Sequence, residues 1–179
     1  MYFVNEKKNN MLKIYLGLFL AVAMTLGSCK KCKEKDCQND ASCSLLNNEA
    51  VCACKEFYQG ETCDTETRET YVGIYSGSPV TTIEGIDYTG SRTDYSVVKN
   101  GGDIAKFKIS TTDTSNTTVF FCKLTSDSDF VIESVDAADD VTISGSGTIS
   151  TTSFRMSGTI SQNQRGQTIT GTFVINAQQ

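Results

Sequence analysis

A mainly β protein is predicted, with a small disulfide-rich module followed by an antiparallel up-and-down β-barrel; a β-sandwich is the alternative. Three observations predict it. Seven of the eight cysteines lie between Cys29 and Cys63. Residues 71–179 alternate apolar and polar side chains with period two and show no helical period. Glycines recur on the apolar face of the last strands, where they let a sheet coil sharply.

The chain begins with a leader. Lys7, Lys8 and Lys13 precede an apolar run from Ile14 to Leu26. A basic segment, an apolar run of about 13 residues and then small residues is the grammar of a secretory signal peptide. The run is short for a bilayer span, which needs ~20 residues. Met1 and Met11 are both acceptable starts, since Met11–Ser28 is a sufficient leader. The junction Leu26-Gly27-Ser28-Cys29 resembles the bacterial lipobox. The resemblance implies that residues 1–28 are removed, that Cys29 carries a diacylglyceryl group, and that residues 29–31 form a lipidated N-terminus. Each buried CH₂ contributes ~0.8 kcal/mol, so two or three acyl chains give a durable anchor. The expected place is the bacterial cell envelope, at the outer membrane. The plainer alternative is ordinary signal cleavage, with Cys29 kept as a disulfide partner.

From Cys32 to Cys63 the pattern is C-x4-C-x5-C-x8-C-x-C-x8-C. Spacing alone leaves about 15 pairings open for six cysteines. Zinc is disfavoured by the exported setting and by the lack of paired CxxC knuckles. Some thirty residues bury too little apolar area to fold without crosslinks, each worth ~3 kcal/mol in loops of this size. Residues 32–63 resemble an EGF-like domain, down to the closing Cys54-Lys55-Glu56-Phe57-Tyr58-Gln59-Gly60-Glu61-Thr62-Cys63. That resemblance implies Cys32–Cys43, Cys37–Cys52 and Cys54–Cys63, and a spacer or interaction role rather than catalysis. Gly60 is expected to supply a positive-φ turn. Phe57 departs from the family, which commonly has glycine there. Calcium-binding members carry acids where this chain has Lys30, Lys31, Ser44 and Leu45, so no metal is expected.

Residues 64–70 are polar and glycine-free and read as a short linker to a β-domain over 71–179. Strands are expected near 71–77 and 93–98. Further one-sided runs are Ala105/Phe107/Ile109, Phe120/Cys122/Leu124 and Phe130/Ile132. The last strands place Val141, Ile143, Gly145, Gly147 and Ile149 on one face, then Phe154, Met156, Gly158 and Ile160, then Ile169, Gly171, Phe173 and Ile175. Two copies of SGTIS, at 146–150 and 157–161, fit a meander. The inward glycines favour a small curved barrel with a packed interior and no cavity of the ~300 Å³ that a drug-sized ligand needs. Tyr71-x-Gly73-x-Tyr75-x-Gly77 resembles the opening of lipocalin-like β-domains of exported lipoproteins, which implies an apolar-ligand carrier as the alternative function.

No catalytic residue and no cofactor is expected. The chain lacks His, the commonest general base and zinc ligand, and it has no G-x-S-x-G. Cys122 is left over and is expected to be a buried, inert thiol. Asp127/Asp129 and Asp136/Asp139/Asp140 lack EF-hand spacing and read as solvated turns. Asn116-Thr117-Thr118 is a glycosylation sequon of the eukaryotic type, without meaning beside a lipobox. Removing the leader moves the formal charge from −5 to −7, which disfavours nucleic acid and anionic lipid as partners. The expected function is a membrane-anchored exported lipoprotein acting as an interaction or structural module. Its partners would be the membrane, through Cys29, and an unidentified protein or glycan.

Overall fold

The structure, a computed structural model, describes residues 30–112, 117–137, 141–164 and 166–179. The expectations on Cys29 and its leader, on Asn116, and on Asp139 and Asp140 lie outside the described residues. The chain divides into two compact units. One is drawn from the residues up to Lys55 and from Gln59–Asp64, the other from Glu56–Tyr58 and Thr65–Gln179.

In the first unit β1 (Ser42–Leu46) and β2 (Glu49–Ala53) pair antiparallel, with Cys43 opposite Cys52. Their two-residue turn, Asn47-Asn48, has positive φ at both positions. That is the primed geometry whose twist suits a hairpin, and asparagine tolerates it. Disulfides join Cys32 to Cys43, Cys37 to Cys52 and Cys54 to Cys63. Cys52 and Cys63 are its only buried apolar residues among those described. So small a core explains why the unit depends on its crosslinks. Gly60 has φ +95°, and Phe57 holds φ +64°, a left-handed conformation that is unfavourable for a bulky residue.

Phe57 itself belongs to the second unit and packs against that unit's hydrophobic core, which offsets part of that strain. Its carbonyl accepts the Thr67 N–H at 2.9 Å. Two-residue strands β3 (Tyr58–Gln59) and β4 (Thr65–Glu66) are followed by a 3-10 helix over Thr67–Tyr71. The remaining strands are β5 (Gly73–Ile83), β6 (Ile86–Thr89), β7 (Thr93–Lys99), β8 (Lys106–Thr111), β9 (Val119–Leu124), β10 (Asp129–Asp136), β11 (Val141–Ile149), β12 (Ser153–Gln164) and β13 (Gln167–Gln178). Every pairing is antiparallel, in the order β13-β12-β11-β10-β9-β8-β7-β5, and β13 pairs with β5 to close the ring. The result is an eight-stranded up-and-down barrel and not a sandwich. β6 extends it at the rim, hydrogen-bonded to the far half of β5.

Period-two alternation puts one face of each strand inside. The interior is filled by Tyr75, Tyr95, Val97, Phe107, Ile109, Phe120, Cys122, Leu124, Phe130, Ile132, Phe154, Met156, Phe173 and Ile175, all buried. Edge-to-face ring pairs knit it together: Phe154 meets Tyr75 and Tyr95, each at 5.5 Å, and Phe107 meets Phe130 at 5.3 Å. Ile169 shares the inner face by register, yet it is exposed, because β12 and β13 run past the rim.

Residues 64–70, read as a polar linker, instead contain a buried anchor. Arg68 is 3% exposed. Its Nη1 donates to the carbonyls of Asp103 at 2.6 Å, Lys106 at 2.7 Å and Asn100 at 3.4 Å, and its Nε donates to Glu66 at 2.8 Å. One guanidinium thus ties the 3-10 helix to the β7–β8 turn. The five-donor fork explains why a charge is tolerated there.

Candidate functional site at the barrel mouth

In a meander, alternate turns lie at opposite ends of the barrel. The β7–β8, β9–β10 and β11–β12 turns share the end that the 3-10 helix covers. There the Tyr71 hydroxyl donates to the Asp127 carbonyl, and the Tyr75 hydroxyl bridges the carbonyls of Tyr71 at 2.9 Å and Ser150 at 3.1 Å. Together with Arg68 these bonds close the floor.

The other end is open and one wall is taller. β5 turns into β6 through Glu84-Gly85, both at positive φ, and this hairpin stands beside the β12–β13 hairpin. Register aligns Ile143, Ile160, Gly171, Ile83 and Ile86 across five adjacent strands, from β11 to β6. The next row places Phe173, Thr81 and Tyr88 side by side. These rows continue the barrel's inner face above the mouth. Ile86 is 58% exposed, Tyr88 54% and Ile169 38%. The apolar pattern of the interior therefore runs out into solvent along a lip. Below it lies a cavity of about 180 Å³, lined by Tyr95, Phe120, Ile143, Ile160, Phe173 and Ile175 among others. This is smaller than the ~300 Å³ expected for a drug-sized ligand. Burial pushes the Tyr95 phenol up to about 12, so it stays neutral at the cavity wall.

Glycines on the inner face are positions of close approach. At Gly147 the Arg155 backbone and the ring of Phe130 together fill the space a side chain would need; at Gly145 and Gly158, which are register partners, backbone alone fills it. The curved wall follows from such contacts.

The residues singled out from sequence fall in different places. The six cysteines of 32–63 are paired within the first unit. Cys122 is buried and unbridged inside the barrel, its thiol pushed up to about 12 by burial, with a further contribution from Glu133. Asp127 sits in the β9–β10 turn and Asp129 opens β10, its carboxylate accepting the Ser126 hydroxyl at 2.7 Å. Among the described residues no cluster of His, Cys, Asp or Glu has a metal-binding arrangement, and no helix is long and apolar enough to cross a membrane. Sequence reasoning did not find the lip residues Ile86 and Tyr88. The usable signal was Glu84-Gly85 flanked by Ile83 and Ile86, a short hairpin signature. Compared with known proteins, the chain matches no family model, no curated protein and no solved structure.

Proposed function

We propose that this is a lipid-anchored exported interaction module of the bacterial envelope, whose barrel presents its apolar lip to a partner. The exposed Ile86, Tyr88 and Ile169 carry the reading. Such side chains contribute ~1.5–3 kcal/mol each when fully covered, and an exposed apolar edge strand left uncovered is an aggregation hazard. The anchor is the acylated Cys29 that Leu26-Gly27-Ser28-Cys29 implies, and residues 32–63 act as an EGF-like spacer. The pairing of first with third, second with fourth and fifth with sixth cysteine supports that reading. No catalytic group and no cofactor enters it.

A second reading, a carrier for a small apolar ligand, rests on the cavity beneath the lip. One pair of experiments separates the two. A photoreactive benzophenone amino acid in place of Tyr88, in the full chain on living cells, should crosslink to one protein species, and Ile86→Asp should abolish that product. Titration of the purified chain with the fluorescent fatty acid cis-parinaric acid should show no saturable site. Stoichiometric binding that Ile160→Trp blocks would install the carrier reading instead. The anchor has its own test: Cys29→Ser must eliminate incorporation of labelled palmitate.

A further inference from the structure

We infer that the outer wall of the barrel carries a second binding site, a polar groove that takes an acidic oligosaccharide. The groove has a volume of about 460 Å³, and Arg92 and Arg155 both line it. Strand register builds its floor. Thr148, Arg155, Asn176 and Ser78 are consecutive partners on β11, β12, β13 and β5. Each is flanked by a buried inner-face neighbour, Ile149, Phe154, Ile175 and Gly77, so these side chains point outward. Three inter-strand steps of ~4.8 Å make this band ~14 Å wide. A parallel row of Ser153 and Gln178 adds further donors and acceptors. Arg92 enters from the break between β6 and β7, where Gly90 packs on Pro79 and donates its N–H to the Pro79 carbonyl at 2.8 Å.

The groove brings two arginines together in a chain of negative net charge. Acids outnumber bases, 21 to 16. In the second unit Arg68, Lys99 and Lys106 are ion-paired, whereas Arg92 and Arg155, like Lys108 and Lys123, make no ion pair among the described residues. The carboxylates that continue the two rows, Asp94 and Asp129, accept hydrogen bonds from the Ser76 and Ser126 hydroxyls, and Asp129 lines an adjoining groove together with Arg155. Two guanidiniums in one groove repel each other until an anion arrives, and their planar forks suit carboxylates held bidentately. Hydroxyl and carboxamide groups between them match the alternating donors and acceptors of sugar rings. The low apolar content of the floor disfavours a hydrophobic peptide.

The test is calorimetry on the full-length chain with hexagalacturonate, against maltohexaose, a hexaglutamate peptide and inorganic sulfate. Hexagalacturonate should bind with one-to-one stoichiometry, with affinity falling as salt is raised. Arg92→Gln and Arg155→Gln should each weaken it at least tenfold while leaving the thermal midpoint within about 2 °C, as exposed substitutions do. Maltohexaose should bind at least tenfold more weakly. Binding that both variants leave unchanged would overturn the site. Equal or tighter binding of hexaglutamate, or of sulfate alone, would overturn the saccharide assignment. No detectable binding of hexagalacturonate would overturn the proposal.

Discussion

Phe130 Cζ stands 2.5 Å from the position that a Cβ on Gly147 would occupy. The two residues are register partners on β10 and β11, so the ring reaches over the neighbouring strand. Gly147→Ala should therefore overpack the interior and destabilise the barrel by ~1–3 kcal/mol. Because backbone atoms of Arg155 and Met156 also crowd the site, adding Phe130→Leu should recover only part of the loss. Urea unfolding of the single and double variants reads the coupling. Additive effects would show that ring and glycine do not share the space.

Arg68 concentrates its bonds on one turn, with donations to Asn100, Asp103 and Lys106. Hydrogen bonds from a charged donor contribute ~1.5–3 kcal/mol, and an Arg68→Ala variant loses several at once. The expected cost is ~3 kcal/mol, or roughly 10 °C in thermal midpoint for a domain of this size. Amide exchange in the turn over 100–106 should accelerate more than in β12, which distinguishes loss of this anchor from general loosening.

The same cluster makes stability depend on acid. The Arg68 hydrogen bond holds the Glu66 carboxyl below the usual carboxylate range against desolvation, with Lys99 adding to the effect. A depressed folded value means that the native state binds its proton later than the unfolded chain does. The contribution is thus complete above the unfolded value near ~4.3 and is lost as pH falls through the depressed one. Thermal midpoints should drop as pH falls below about 4.5, and Glu66→Gln should flatten that drop. An unchanged acid slope would remove Glu66 from the account.

The barrel was legible because its strands follow a two-residue period with serines and threonines outward, interrupted in β10 by a register shift between Ile132 and Ser134, a pattern that only one face of a closed or stacked sheet explains. Phe107, Phe120, Phe154, Met156 and Phe173 all lie inside. Arg68 was not legible. Its partners are 32 to 38 residues away in the chain, so local polarity suggested a linker. Ile169 kept its phase but not its burial, since burial there depends on how high the opposite wall rises. Arg92 and Arg155 were invisible as a pair. They share a groove because β13 closes onto β5, and no local pattern reports ring closure.

Cys122 is buried between Phe120 and Leu124 on β9 and its thiol is held up to about 12. At neutral pH its thiolate is scarce and shielded, so iodoacetamide should not label it in the native protein. Labelling should instead track the unfolding transition in urea. The sign in alkali follows from the raised value. The unfolded chain releases this proton above ~8.5 while the native barrel keeps it, so stability falls as pH rises through that point. Cys122→Ala should reduce the fall between about pH 8.5 and 9.5. Rapid labelling of the native protein would contradict the buried placement.

Ile86 and Tyr88 offer the sharpest separation of folding from binding. Both are more than half exposed on β6, a strand of four residues bonded to β5 alone among the described strands. Side chains in that position add little to barrel stability, and exposed substitutions usually change it by about 0.5 kcal/mol or less. The double change Ile86→Ser and Tyr88→Ser should then leave the urea midpoint nearly untouched. It should nonetheless lower the fluorescence of an apolar dye such as ANS, because it deletes the exposed part of the lip while the cavity below stays intact. Phe173→Ala is the contrasting variant. It removes a buried ring that stacks on Phe120 at 6.4 Å, so it should cost ~3–5 kcal/mol and raise dye binding. If the serine pair instead destabilises the barrel as much as Phe173→Ala does, the lip is structural, and its exposure cannot be the reason these residues are apolar.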